Sequence, residues 1–273
     1  MKGFIVFLGL VFILAGCGGS GSAQSGNGGG KKPFAGEDLT VFAAAHFTEA
    51  FKDLKQAFEK KTGADVTISF AGTQTLRTQI EHGANPDVFA SANLHHMKAV
   101  KKEGYVNQYK VCDYNSLIVI IPKKNPAGLK NFKDLDQKQY KLVIGVKNVP
   151  IGSYTRKVLE NANQKYGEGF KKKVMANVVS FEPNVKKVAS KVTLGAADAG
   201  FVYPTALTPS VAKKVKTIKI PDGLNVKATD TIAVLKNSKH PKLAKKWVQF
   251  VLSDKGQHIL AKHHLIPLDQ KKQ

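Results

Sequence analysis

The chain has 273 residues, of which 42% are hydrophobic, and it is long enough for two lobes after a leader is removed. Its 42 basic and 20 acidic residues give a formal net charge of +22, which first suggests a nucleic-acid ligand. Only Arg77 and Arg156 are arginines, however, and planar two-pronged contact with phosphates and bases favours arginine. The lysines are scattered in pairs without interleaved aromatic residues. We therefore interpret them as a solvated surface and expect no nucleic-acid partner.

The first residues have the pattern of a secretory leader. One lysine precedes a mainly apolar run from Phe4 to Leu14, which is too short for a membrane span. The letters LAGC that follow, ending at Cys17, resemble a bacterial lipoprotein box in which this cysteine becomes the lipidated first residue. We predict a signal peptide over 1–16 and an extracytoplasmic protein that is lipid-anchored to the bacterial cell membrane through Cys17.

A linker follows the leader, and the chain contains one further cysteine. Residues 18–32 read GGSGSAQSGNGGGKK and have no apolar periodicity, so we predict that 17–38 is a flexible tether. The other cysteine, Cys112, has no second free thiol to pair with if Cys17 is acylated. We expect Cys112 to be a small core residue.

Three strand-then-helix units follow the tether. An apolar strand from Leu39 ends in three alanines and His46 before a helix begins, a second strand over 64–70 ends at a hydroxyl-rich turn that contains Thr73, and a third covers 87–91. Repeated units of this kind imply a parallel sheet, and ligands bind beyond the carboxyl ends of such strands. His46 and Thr73 are both predicted to lie at such ends.

The rest of the chain contains more of these units and then returns. Apolar runs predict strands over 116–121, 141–146, 174–181, 199–202, 215–220 and 230–235, and helical periodicity predicts helices over 241–252 and 255–263. The loop after the second of these strands contains Pro150 and Gly152, and Tyr203 follows the fourth. We expect the last strand to re-enter the first sheet. This gives a first lobe of 39–115 plus 230–268 and a second of 116–229, joined by a hinge.

The sequence contains no catalytic signature such as a nucleophile elbow, paired cysteines or a phosphate-binding lysine loop. A binding protein is therefore favoured over an enzyme. Histidine is a good zinc ligand, but the adjacent pairs His95-His96 and His263-His264 diverge on a helix, and we interpret them as surface groups. His46 differs because it lies in the predicted cleft.

Four segments resemble, in order and approximate spacing, the periplasmic molybdate-binding proteins of ABC importers: VFAAAHFTEAF, FAGTQTLRTQIEHGANPDVFASAN, VPIGSYTRKVL and NVKKVASKVTLGAADAGFVY. The similarity spans Leu39 to about Leu268. It implies an α/β fold of the two-lobed type II periplasmic-binding-protein kind, each lobe a mainly parallel sheet flanked by helices, with the ligand cleft between the lobes. It also implies a monomer without a cofactor that holds molybdate or tungstate and delivers it to an ABC permease and ATPase.

The resemblance further implies the ligand-binding residues. The two serines of the family correspond to His46 and Thr73, while Ile151 and Val185 would donate backbone N–H groups and Tyr203 its hydroxyl. His46 departs from the family pattern, since an imidazole beside a dianion can add a positive charge, and we expect binding to take up a proton. The alternatives are a binder of another oxyanion (sulfate, phosphate or chromate), a zinc-handling lipoprotein that uses His46 with a carboxylate, and an adhesin for anionic wall polymers.

Overall fold

The computed structural model of the protein describes residues 32–268. The predicted signal peptide, Cys17 and residues 17–31 of the predicted tether lie outside this range. From Lys32 onward the predicted tether is part of the folded domain: the Phe34 N–H donates to the Thr62 carbonyl oxygen at 3.0 Å, and the first strand begins at Asp38. The boundary at 38 was wrong because Phe34 packs against the apolar core of the first lobe.

Ten strands in the described range form two five-stranded sheets. The strands are β1 (Asp38–Ala44), β2 (Asp65–Ala71), β3 (Val88–Ser91), β4 (Lys110–Asn115), β5 (Ile118–Pro122), β6 (Leu142–Gly145), β7 (Val178–Glu182), β8 (Ala199–Val202), β9 (Val215–Ile218) and β10 (Ala228–Val234). Their α-helices are α1 (Thr48–Thr62), α2 (Thr73–Glu81), α3 (Leu94–Lys102), α4 (Pro150–Tyr166), α5 (Phe170–Ala176), α6 (Val185–Thr193), α7 (Pro209–Ala212), α8 (Pro241–Leu252) and α9 (Asp254–Lys262). None of these helices combines the length and apolar character needed to cross a membrane.

The first sheet has the strand order β2-β1-β3-β10-β4. Strands β2, β1 and β3 are parallel, whereas β10 runs antiparallel to both β3 and β4. The late strand β10 therefore lies inside a sheet whose other strands all come from the first 115 residues.

The second sheet has the order β7-β6-β8-β5-β9 and the same mixture of directions. Strands β7, β6 and β8 are parallel, and β5 runs antiparallel to β8 and β9. The predicted two-lobed α/β architecture is confirmed. Both sheets are mixed rather than mainly parallel, because β10 and β5 each run against two neighbours.

Two local predictions were wrong. The predicted strand over 174–181 is split, since Phe170–Ala176 forms helix α5 and the strand starts at Val178. Phe170 and Val174 are buried while Lys172 between them is exposed, which fits one face of a helix and not the alternation of a strand. Strand β4 was missed because its sequence, KVCDYN, is largely polar, yet it is paired with β10 over its length.

Each lobe has its own apolar core. In the first lobe the edges of Phe51 and Phe58 contact Trp247, with ring centroids 5.9 and 5.2 Å apart. Edge-to-face pairs of this kind add about 0.5–1.5 kcal/mol each to the burial itself. They fix α8 near the end of the chain against α1 near its start. Cys112 is fully buried in this core with a free thiol, as predicted.

The start of α4 depends on a glycine. A Cβ at Gly152 would collide with the carbonyl oxygens of Gly145 and Val146, so only glycine lets the helix approach strand β6 this closely. A backbone displacement there would also move Ile151, which precedes it.

We expect Gly152→Ala to destabilise the protein by about 1–3 kcal/mol, because the added methyl group overpacks a backbone contact. For a domain of this size that corresponds to a fall in Tm of roughly 2–12 °C in differential scanning calorimetry. Gly169→Ala is the matched control, since the nearest atom to its added Cβ is a flexible lysine carbon at 4.0 Å. An equal Tm for the two variants would contradict the prediction.

Candidate functional site

A small pocket lies between the two lobes, where strands of both sheets end. Its volume is about 20 Å³, room for about one water molecule on this measure. The first lobe lines it with residues that follow β1, β2 and β3, and the second lobe with residues that follow β6, β7 and β8. The lining residues are Ala44, Ala45, His46, Gly72, Thr73, Ala92, Val149, Pro150, Ile151, Asn184, Val185 and Tyr203. The cleft is therefore narrow at this point and leaves room only for a small ligand.

All five residues predicted to bind the ligand line this one pocket: His46, Thr73, Ile151, Val185 and Tyr203. That they bind a ligand stays a prediction, but the structure brings them together from five separate segments of the chain.

Three helices begin at the pocket. Thr73 is the first residue of α2, Ile151 lies in the first turn of α4, and Val185 is the first residue of α6. The first N–H groups of a helix have no partner within it, and the helix dipole places partial positive charge at that end. Three such ends at one point favour an anion.

Two hydroxyl groups add donors to this set. The Thr73 hydroxyl oxygen accepts a hydrogen bond from the Ala92 N–H at 3.2 Å, so its own hydrogen stays free to donate. The Tyr203 hydroxyl is buried without a hydrogen-bond partner among residues 32–268. Burial, reinforced by the charge of Asp230, raises the pKa of Tyr203 well above its usual value, so the phenol remains a donor. An unpaired buried hydroxyl costs about 1–3 kcal/mol, which a ligand oxygen would offset.

A buried carboxylate forms a hydrogen bond with His46. Its Nε2 lies 2.8 Å from Oδ2 of Asp230, and both side chains are only 1% exposed. The ring is also in contact with Phe47 and faces Tyr203 at a centroid distance of 5.4 Å. Among the described residues that line the pocket, His46 is the only one that can carry a positive charge.

A second carboxyl group lies beside this pair. Asp113 on β4 is directly opposite Asp230 on β10 in the strand register, and neither of its carboxyl oxygens has a hydrogen-bond partner in the described part of the chain. Burial, together with the neighbouring charge of Asp230, raises the pKa of Asp113 well above its ordinary value. The Asp113 carboxyl therefore retains a proton to higher pH than an exposed aspartate does.

His46, Asp113 and Asp230 are of the types that bind divalent cations, and their potential ligand atoms lie within 4.8 Å of one another. Two ligands of a tetrahedral zinc ion, each about 2.0–2.1 Å from the metal, are about 3.3 Å apart. The 2.8 Å between His46 Nε2 and Asp230 Oδ2 is shorter than this and matches a charge-assisted hydrogen bond. The geometry of this pair is that of a hydrogen bond rather than of metal coordination.

Direct contacts join the two lobes around the pocket. The His96 Nε2–H donates to the carbonyl oxygen of Asn148 at 2.8 Å, and Lys186 Nζ lies 3.4 Å from Oε1 of Glu49. The hydroxyl oxygen of Tyr154 accepts the Thr229 N–H at 3.3 Å. These contacts hold the lobes in a closed arrangement.

His96 is therefore not a surface group, as its position beside His95 had suggested. It is 3% exposed, and burial lowers its pKa. His95 and His264 are exposed, and His263 is half-buried with Nε2 at 2.9 Å from Asp53 Oδ2. The prediction that the two rings of each pair diverge on a helix was wrong for His95 and His96, whose ring centroids lie 5.2 Å apart, and α9 ends at Lys262, before the second pair.

Asp113 and Asp230 were not identified from the sequence as parts of the site. Each is an acidic residue within a short strand, in KVCDYN and ATDTIAV. An aspartate flanked by residues of a buried strand is a usable signal, since a buried charge needs a partner. Its partner, however, is set by the pairing of β4 with β10, which no local pattern reveals.

Comparison with known proteins places the chain in a family. Residues 39–266 match the model of the bacterial extracellular solute-binding proteins, and the chain belongs to this family. It is 35% identical over 254 residues to the molybdate-binding protein ModA of Mycobacterium tuberculosis, covering 92% of each chain. It is also 27% identical to a Bacillus subtilis protein described as a putative ABC transporter substrate-binding lipoprotein, covering 95% of each.

Solved structures agree on the fold. The substrate-binding domain of a putative molybdenum ABC transporter from Clostridium difficile is 28% identical, with a TM-score of 0.64 over 85% of this chain and 99% of that one. The periplasmic molybdate-binding protein of Azotobacter vinelandii, at 21% identity, has a TM-score of 0.73 over 85% of this chain and all of its own. The predicted family resemblance and the predicted type II periplasmic-binding fold are confirmed.

We expect Asp113→Asn to make stability less dependent on pH. A carboxyl whose folded pKa is raised contributes stability below its unfolded pKa of about 3.9 and loses that contribution as pH rises toward the folded pKa. The wild type should therefore lose up to about 1.4 kcal/mol per pH unit above pH 4 relative to the variant, until Asp113 ionises.

Urea unfolding of both proteins between pH 4 and pH 8 measures this difference. Asp222→Asn is the control, because its side chain is 89% exposed and remote from the cluster. Parallel stability curves for wild type and Asp113→Asn would show that Asp113 is ionised in the folded protein.

Proposed function

We propose that this protein is the lipid-anchored substrate-binding component of an ABC importer and that it binds molybdate or tungstate between its lobes. The observation that carries the proposal is the convergence of three helix N-termini and two free hydroxyl donors on one narrow pocket. Hydrogen-bond donors of fixed geometry can surround a dehydrated dianion without a full set of counter-charges.

Each residue has a distinct role in this proposal. Thr73 and Tyr203 donate hydroxyl hydrogens, and the backbone N–H groups of Ile151 and Val185 donate from the starts of α4 and α6. His46 takes the place of a neutral donor and adds the one side chain that can be positively charged. The protein itself carries out no reaction, and a permease and an ATPase move the released ion across the membrane.

The ligand class follows from the donors and the size of the site together. A pocket of about 20 Å³ excludes sugars and peptides in the closed arrangement, and the donors around it favour an anion. The relatives named for molybdate support molybdate over sulfate, phosphate or chromate, and tungstate is proposed beside it because it is an oxyanion of the same shape and charge. His46, Asp113 and Asp230 are residue types that could also bind zinc, but the hydrogen-bond distance between His46 and Asp230 argues against that ion.

The lipid anchor belongs to the same proposal. Its support is the LAGC sequence ending at Cys17, together with the lipoprotein description of the Bacillus subtilis relative. Mass spectrometry of the mature amino terminus tests it. We expect a diacylated cysteine at position 17, and cleavage elsewhere with an unmodified Cys17 would exclude the anchor.

A thermal-shift panel of molybdate, tungstate, sulfate, phosphate and zinc tests the ligand. A ligand at 100 times its Kd stabilises the folded state by about 2.7 kcal/mol, so Tm should rise on the order of 5–10 °C for molybdate or tungstate. Sulfate and phosphate should give smaller shifts at equal concentration. A shift with zinc and none with any oxyanion would overturn the proposal.

Tyr203→Phe should weaken oxyanion binding and leave the fold intact, because it removes one donor and almost no volume. A hydrogen bond to a charged acceptor contributes about 1.5–3 kcal/mol, so the Kd in calorimetry should rise about ten- to hundredfold. Tyr140→Phe is the matched control, since Tyr140 is buried in the same lobe but does not line the pocket. Unchanged affinity in Tyr203→Phe would remove this hydroxyl from the site.

A further inference from the structure

Three neighbouring ionisable side chains lead from the pocket into the protein interior. His46 lines the pocket, Asp230 lies behind its Nε2 at 2.8 Å, and Asp113 lies opposite Asp230 on the neighbouring strand. All three are buried, with exposures of 6%, 1% and 0%. The two aspartates take no part in the ligand contacts described above, so their presence needs a separate explanation.

Two carboxylates facing each other in a protein interior cannot both be ionised at low cost. Like charges directly opposite in an antiparallel pair destabilise the sheet, and burial removes the water that would screen them. Asp230 has a hydrogen-bonding partner in His46, whereas the oxygens of Asp113 have none among residues 32–268. The proton therefore belongs on Asp113, and the negative charge on Asp230.

His46 lies in a short turn over Ala45–Phe47. The other titratable groups around this turn neither supply a positive charge nor cancel one on His46. The pKa values of Cys112, Tyr154 and Tyr203 are raised by burial, that of Tyr154 to about 12, so these groups are neutral at pH 7. On the helices that pack against the turn, α1 and α6, Glu49 and Lys186 lie in the first turns and pair with each other. Strand β2 ends beside the turn at the uncharged Ala71.

We propose that Asp113 and Asp230 are positioning residues, Asp113 protonated and Asp230 ionised, which together present one negative charge and thereby hold His46 as an imidazolium ion in the oxyanion complex. Asp230 accepts from Nε2–H, and the other ring nitrogen, Nδ1, then carries a hydrogen that it donates to the ligand. The inference rests on the proposed function and assigns the charge state of the same site.

The hydrogen on Nδ1 decides which anions fit. In a neutral ring whose Nε2–H is bound to Asp230, Nδ1 has a lone pair that repels the oxygen of a fully deprotonated oxyanion. An imidazolium instead donates to it. Molybdate and tungstate have no hydrogen at pH 7, whereas phosphate retains one and could donate to the neutral ring. The charged ring therefore favours fully deprotonated dianions, and their binding takes up a proton where the free ring is neutral.

Calorimetric titrations of the full domain with tungstate at pH 6, 7 and 8, each in two buffers of different ionisation enthalpy, test the inference. The wild type should take up close to one proton at pH 8, and its affinity should rise up to about tenfold per pH unit as the pH falls. Asp230→Asn removes the negative charge, so its affinity should change less than about threefold across the range.

Asp113→Asn is the matched variant, because its amide is neutral and of the same size, as the protonated carboxyl is. It should retain the wild-type proton uptake and pH profile. A flat profile in this variant would show that Asp113 carries the charge, and a flat profile without proton uptake in the wild type would show that His46 is a neutral donor. Either result overturns the proposal.

Two further measurements distinguish failure of this inference from failure of the proposed function. Nitrogen NMR of the labelled wild type with saturating tungstate should show both ring nitrogens of His46 protonated, which does not depend on a variant folding. If the wild type binds neither tungstate nor molybdate in the thermal-shift panel, the proposed function itself fails. If zinc stabilises the wild type but not Asp113→Asn, a cation replaces the proton on Asp113 and the inference is wrong.

Discussion

The structure depends on one geometric constraint: the loops after strands of both sheets face one another across the cleft. In each lobe, parallel strands are followed by helices, and this order places the start of a helix at the carboxyl end of its strand. Facing the two lobes toward each other then directs the N-termini of α2, α4 and α6 at one point. The backbone groups at these helix starts by themselves favour an anion, and the side chains of the pocket add further donors.

The small residues around the cleft follow from the same constraint. Gly72 lies so close to the carbonyl oxygen of Pro183 in the other lobe that a Cβ there would collide with it. Gly152 has the corresponding role beside β6, and Ala45 and Ala92 leave space at the ends of β1 and β3. Backbone donors reach a small ion only if no side chain stands between, so closure of the lobes requires residues of this size.

His46 changes the electrostatics of an otherwise neutral site. Backbone amides and hydroxyls attract an anion without carrying a net charge, whereas an imidazole can add one. Its hydrogen bond to Asp230 keeps Nε2 occupied, and the opposing Asp113 gives the interior a place to hold a proton. Water screens these buried carboxyl groups poorly, so a charge in the cleft would interact strongly with them.

The class of the protein could be predicted from its sequence. Strand-then-helix repeats, small residues at strand ends and four family-like segments were enough to predict the α/β lobes and to collect His46, Thr73, Ile151, Val185 and Tyr203 in one cleft, because these features are local in the chain. The aspartates beside His46 could be found only from the folded structure. Asp113 and Asp230 are 117 positions apart, and they meet because β10 returns to pair with β4, a contact set by packing rather than by any local pattern.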